Sequence, residues 1–151
     1  MDETDVTLSI CLRCRDVREP TDTDLSLRGG RRLSHAVAAV FDTSQAASLG
    51  VLLRGVNCMS QCKRPCVIAL SGQDRFTYLF GDLDPQTHTS VILAVTAAYA
   101  EAATGFLPRA ARPKVLQAGI LGRIPSLGCA SQLIEPIYPP MSLDKAKKVN
   151  S

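Results

Sequence analysis

Six of the 151 residues are cysteines, and five of them are grouped. They run Cys11-x2-Cys14, then, after 43 residues, Cys58-x3-Cys62-x3-Cys66, with Cys129 alone. Thiolates at such spacings, supplied by two loops, hold either a tetrahedral zinc or an iron–sulfur cluster. Cys11-x2-Cys14 alone would also suit dithiol–disulfide exchange, and an isolated cysteine such as Cys129 is ordinarily a small buried hydrophobe. Arg13, Arg15, Lys63 and Arg64 flank the pairs. Neighbouring cations lower a thiol pKa and would offset the negative charge of a four-thiolate site. Cys66 is ambiguous: a core residue at the start of a strand, or a further ligand. The remaining chemistry is sparse. His35 and His88 are the only histidines, and both fit solvated helix surface. With no plausible Ser/His/Asp or Cys/His set, hydrolysis has no support and the chain does not read as an enzyme. Gly81-Asp82-Leu83-Asp84-Pro85 has too few ligands for calcium, and helix capping accounts for Asp84.

The elements that must bring the cysteines together are legible in outline. Val6, Leu8 and Ile10 alternate with polar residues, a strand over 6–11 that ends on Cys11. Residues 15–30, with Pro20 and Gly29-Gly30, read as a loop. Leu33, Val37, Val40 and Phe41 form one helical stripe, predicting a helix over 33–47 that stops at Gly50. A strand over 51–56 then leads to Cys58. Residues 66–70 and 76–80 read as a hairpin around Ser71-Gly72-Gln73-Asp74. Asp84-Pro85 opens a helix that runs to about 104 and ends at Gly105. The order is β-α-β-β-β-α. A β-α-β start makes its two strands parallel, with both ends at one sheet edge. Cys11, Cys14, Cys58 and Cys62 should therefore meet in space.

The remaining composition bounds the partners. The net charge is +3, with 10 basic and 12 acidic groups in residues 1–104 and 7 and 2 in 105–151. Together with the absence of tryptophan, this argues against nucleic acid. The basic segment 109–123 is a candidate contact for an acidic partner. The longest apolar run, 91–100, is half a membrane span, and the acidic N-terminus carries no export signal, so a cytoplasmic location is expected. Prolines 108, 113, 125, 136, 139 and 140 suggest a division into a domain over 1–106 and a Pro-rich, basic, extended tail over 107–151.

The run Cys58-Met-Ser-Gln-Cys62-Lys-Arg-Pro65-Cys66-Val-Ile-Ala-Leu resembles the second half-site of thioredoxin-like [2Fe-2S] ferredoxins, which include the small ferredoxin-like subunit of respiratory complex I. Those proteins carry Cys-x3-Cys, a proline shortly after, then a strand. The resemblance implies a thioredoxin-like α/β fold and a [2Fe-2S] cluster on Cys11, Cys14, Cys58 and Cys62. It also implies one-electron transfer to a redox protein partner. Those families space the first two cysteines by four or more residues, which keeps Cys66 as a candidate ligand beside Cys14. A wider set of motifs adds Cys-x2-Cys-Arg, Phe-Thr-Tyr-Leu-Phe-Gly-Asp-Leu-Asp-Pro over 76–85, Arg112-Pro113 and Gly122-Arg-Ile-Pro125. To about residue 127 these resemble bacterial predicted metal-binding proteins of unknown function, often encoded beside cobalamin-synthesis genes. That resemblance implies a partner in cobalamin biosynthesis. A non-redox zinc or cobalt module on the same sulfurs, or a dithiol oxidoreductase using Cys11 and Cys14, is the alternative.

Overall fold

The computed structural model describes residues 5–16, 18 and 24–138. Pro20, most of the loop around it, and the tail from 139 onward lie outside the described residues. The elements are β1 (Val6–Cys11), α1 (Gly29–Phe41), α2 (Gln45–Ser48), β2 (Leu52–Val56), β3 (Ile68–Gly72), β4 (Phe76–Phe80), α3 (Thr89–Glu101), α4 (Lys114–Ala118) and β5 (Ile120–Pro125). Five strands form one sheet in the order β2-β1-β3-β4-β5. β1 and β2 are parallel, in register from Thr7↔Leu52 to Cys11↔Val56, as the β-α-β reading requires. β1–β3, β3–β4 and β4–β5 are antiparallel.

β1 is an interior strand, flanked by β2 and β3, and Val6, Leu8 and Ile10 are fully buried and even Ser9 is nearly so. Leu33 and Val37 of α1 and Ile92 and Tyr99 of α3 are wholly buried too, and the two helices pack on each other. Tyr78 stacks on Phe80 and meets Tyr99 edge-on, and its hydroxyl receives the Leu107 N–H at 2.9 Å. A buried phenol needs such a partner. No helix of the described residues is long and apolar enough to cross a membrane.

Four expectations change. The first helix begins at Gly29, inside the stretch read as loop. A Cβ on Gly30 would stand 1.9 Å from the Cys11 carbonyl oxygen, so this glycine permits close approach rather than a turn. The same helix breaks at 42–44, where Ser44 caps α2 by accepting the Ala47 N–H at 3.2 Å. The helix expected from 85 is α3, which begins at Thr89: Asp84 accepts the Gln86 N–H at 2.9 Å and caps a turn instead. Most consequential is β5, which lies in the stretch expected as an extended tail. The sheet and core continue past residue 106, with Leu107 and Leu116 buried. Pro125 is compatible because β5 is an edge strand.

Candidate metal centre

β1 delivers Cys11 as its last residue, and β2 ends beside it at Val56. The chain after each strand turns over that edge. Leu12 N–H and Cys58 N–H both donate to the Val56 carbonyl, at 2.8 and 3.0 Å. Gly55 is open enough for the Leu12 side chain to lie against it, where a Cβ would come within 2.5 Å. The two loops meet on one sulfur. The Cys14 thiol and the backbone N–H groups of Met59, Arg13 and Cys14 surround Cys11 Sγ and favour its charged form.

These donors separate the chemistry of the first pair. Above all the Cys14 thiol, and then the Met59 and Arg13 N–H groups, hold the Cys11 thiol far below its ordinary value, against the opposing effect of burial. Cys14 is driven the other way because it donates to Cys11, is buried, and faces the Cys11 charge. The two thiols titrate as a coupled pair, with Cys11 favouring the charged form and Cys14 the protonated one. The N-terminus of α1 adds positive partial charge at this edge, with Gly30 N–H donating to the Cys14 carbonyl at 2.9 Å.

Cys66 is completely buried and in electrostatic reach of both sulfurs. A Cβ on Gly29 would stand 2.9 Å from its Sγ. Burial, then repulsion from Asp16, pushes its thiol up to about 12. Asp16 is itself buried and pairs with Arg18 at 3.0 Å and Arg32 at 3.3 Å. The structure thus gathers Cys11 and Cys14 with Cys66 behind them. Cys58 and Cys62 are exposed on the loop that brings Met59 to Cys11. Cys58 has φ +83° and its sulfur accepts the Ser60 N–H at 3.4 Å. Among the described residues no three or more His, Cys, Asp or Glu side chains stand as a metal-holding group. Cys129 is half-buried and outside the cluster.

Sequence reasoning missed what fixes the second loop. Arg64 forks onto Asp82, with Nε at 2.8 and 3.0 Å from the two carboxylate oxygens, and its Nη2 reaches the Ala118 carbonyl at 3.4 Å. Asp82 N–H returns to the Arg64 carbonyl at 2.9 Å, and Cys66 and Leu83 exchange backbone bonds at 3.3 and 3.2 Å. Arg64 is thus spent on Asp82 rather than on a sulfur. The only advance signal was the adjacency of Arg64 to the cysteines and of Asp82 to a strand end. His88 is not simply solvated, since its Nδ1 accepts the Asp84 N–H at 2.8 Å. His35 lines a cavity of about 250 Å³ beside Arg31 and Arg54. A larger cavity of about 570 Å³, lined by Val40, Ser44, Gln86 and Thr89 among others, contains no cysteine.

No curated protein matches this chain. Two solved structures of a thioredoxin-like [2Fe-2S] ferredoxin from Aquifex aeolicus share its fold. One is 13% identical with a TM-score of 0.50, covering 81% of this chain and 94% of the ferredoxin. The other, at 1.5 Å resolution, is 14% identical with a TM-score of 0.51, covering 80% and 99%. The architecture is the thioredoxin-like α/β fold expected from the sequence. Residues 8–126 match the family described as "Protein of unknown function (DUF1636)", and the chain belongs to that family.

Proposed function

We propose that this protein holds a [2Fe-2S] cluster through Cys11, Cys14, Cys58 and Cys62 and passes single electrons to a protein partner. The observation that carries this reading is the convergence of both cysteine loops at the shared end of β1 and β2, where the Leu12 and Cys58 N–H groups donate to one carbonyl, that of Val56. The donor set fits the group. It consists of thiols, one already favouring the thiolate, with backbone N–H groups directed at Cys11 and at Cys14, the latter from Val67. Such a cluster, when bound, supplies a one-electron couple whose potential depends on bonds to its sulfurs and on solvent exposure. This chain contributes an inner side and an outer side. Cys11 and Cys14 are shielded by β1 and the start of α1, which excludes water, while Cys58 and Cys62 face solvent, where a partner can approach. The fold shared with the Aquifex ferredoxin supports the same reading.

Anaerobic purification, a visible spectrum, and assays of iron and acid-labile sulfide test it. About two irons and two sulfides per chain are expected. Colourless protein with stoichiometric zinc, or protein with stoichiometric cobalt and no acid-labile sulfide, would instead establish the non-redox module. Single substitutions then assign ligands: Cys14→Ser should lose the cluster and Cys66→Ser should keep it. The opposite result would put Cys66 in the place of Cys14. The cobalamin-gene association implied by the resemblance makes a cobalamin-synthesis enzyme the first electron-transfer partner to assay.

A further inference from the structure

Among the described residues the exposed side of the cysteine edge is basic and its cations are unpaired. Arg13 and Arg15 are exposed on the loop after β1, and Lys63 is exposed beside Cys62. Among the described residues none of the three has a carboxylate within ion-pair distance. Among the described residues Asp16 is buried against Arg18 and Arg32, and Asp82 is held by Arg64. Leu12 and Met59 are half-exposed on the same two loops, an apolar centre inside a charged rim.

The contrast lies where the sequence placed its basic excess. Within 109–123, Arg112 is buried and donates to the Leu116 carbonyl at 2.9 Å. Arg123 lies over the Phe76 and Phe106 rings, 5.8 and 5.2 Å from their centroids. Those two cations serve the fold, whereas Arg109 and Lys114 stay exposed, so the segment keeps two free cations against the three beside the cysteines.

We propose that the edge bearing Cys58 and Cys62 docks an acidic protein, with Arg13, Arg15 and Lys63 meeting its carboxylates around Leu12 and Met59. The inference rests on the cysteine loops being the electron-transfer site, because a partner must seat there for its own centre to come close. Charges around a docking face set partner choice and association rate, and exposed ones are screened by salt.

The test uses an acidic flavodoxin as probe and basic cytochrome c as counter-probe, with binding followed by NMR shifts of the labelled full-length protein. Flavodoxin binding should weaken about tenfold between low and physiological salt, and about tenfold again in R13E/K63E. R109E/K114E, the same change in net charge placed elsewhere, should bind like the wild type. The neutral pair R13Q/K63Q should fall between, which guards against a misfolded reversal. Equal losses in both reversals, a preference for cytochrome c, or no flavodoxin binding at low salt would each overturn the proposal. So would an R13E/K63E protein with a shifted reduction potential but unchanged binding, since the cations would then serve only to offset the cluster. Iron and sulfide are assayed on the same samples. Iron-free protein that still shows the salt and variant dependence would sink the electron-transfer reading while leaving the acidic docking face standing.

Discussion

Cys11 and Cys14 sit three positions apart, both nearly inaccessible, yet they are driven in opposite directions. Flanking cations are what the sequence offered as the reason for thiolate character. The groups that favour the charged form of Cys11 are instead the Cys14 thiol and N–H groups from the chain on either side of the sheet edge. No spacing rule exposes such donors, because Met59 reaches Cys11 only through the parallel pairing of β1 and β2. The assignment has a direct consequence in metal-free protein. Removing the Cys14 donor in Cys14→Ala leaves the charged form of Cys11 less stabilised, so its titration must move upward. Thiolate absorbance near 240 nm, followed against pH, should show the lowest midpoint rising by more than about one unit. Cys66→Ala should barely move that midpoint. An unchanged midpoint in Cys14→Ala would mean that the backbone donors alone suffice.

At the scale of elements, the legible parts were those with a strong period. β1, β2, the β3–β4 hairpin and the body of α1 fall where alternation or a helical stripe put them, to within a few residues. What escaped was set by contacts between elements. Gly29-Gly30 resembles loop punctuation, but its lack of Cβ atoms lets the first turn of α1 press on Cys11, Cys66 and Asp16. Gly30→Ala would drive a methyl into the Cys11 carbonyl, and backbone cannot yield as a flexible side chain does. Overpacking of this kind costs about 2–3 kcal/mol. The variant should unfold at correspondingly lower denaturant, and its damage should centre on the cysteine edge. Hydrogen exchange would then show faster opening at residues 11–16 and 29–33 than in β4. Uniformly faster exchange, or wild-type stability, would show that the helix start is not held against Cys11.

The whole molecule differs most from its sequence reading at the C-terminal side. Prolines and glycines in 105–125 hid a short helix and an edge strand, since Ile120–Pro125 has neither clean alternation nor a long apolar run. Yet this stretch completes the sheet. β4 pairs with β5 from Phe76↔Pro125 to Phe80↔Ile120, and Gly81 N–H donates to the Gly119 carbonyl at 2.7 Å beside the loop that Arg64 anchors. Leu107 and Leu116 are 5% and 0% exposed. Burying side chains of this size is worth about 1.5–3 kcal/mol each, so the two together supply about 3–6 kcal/mol. Against a typical total stability of about 5–15 kcal/mol, removing them, the β4–β5 ladder and the Tyr78–Leu107 bond leaves little margin. A chain ending at residue 106 should therefore lack a cooperative thermal transition, whereas one ending at residue 130 should keep it. Calorimetry decides between one domain that includes β5 and a domain with an appended tail. A 1–106 fragment melting cooperatively near the full-length temperature would establish the tail, and the clasp of Arg64 on Asp82 and Ala118 would then be decoration rather than part of what holds the second cysteine loop.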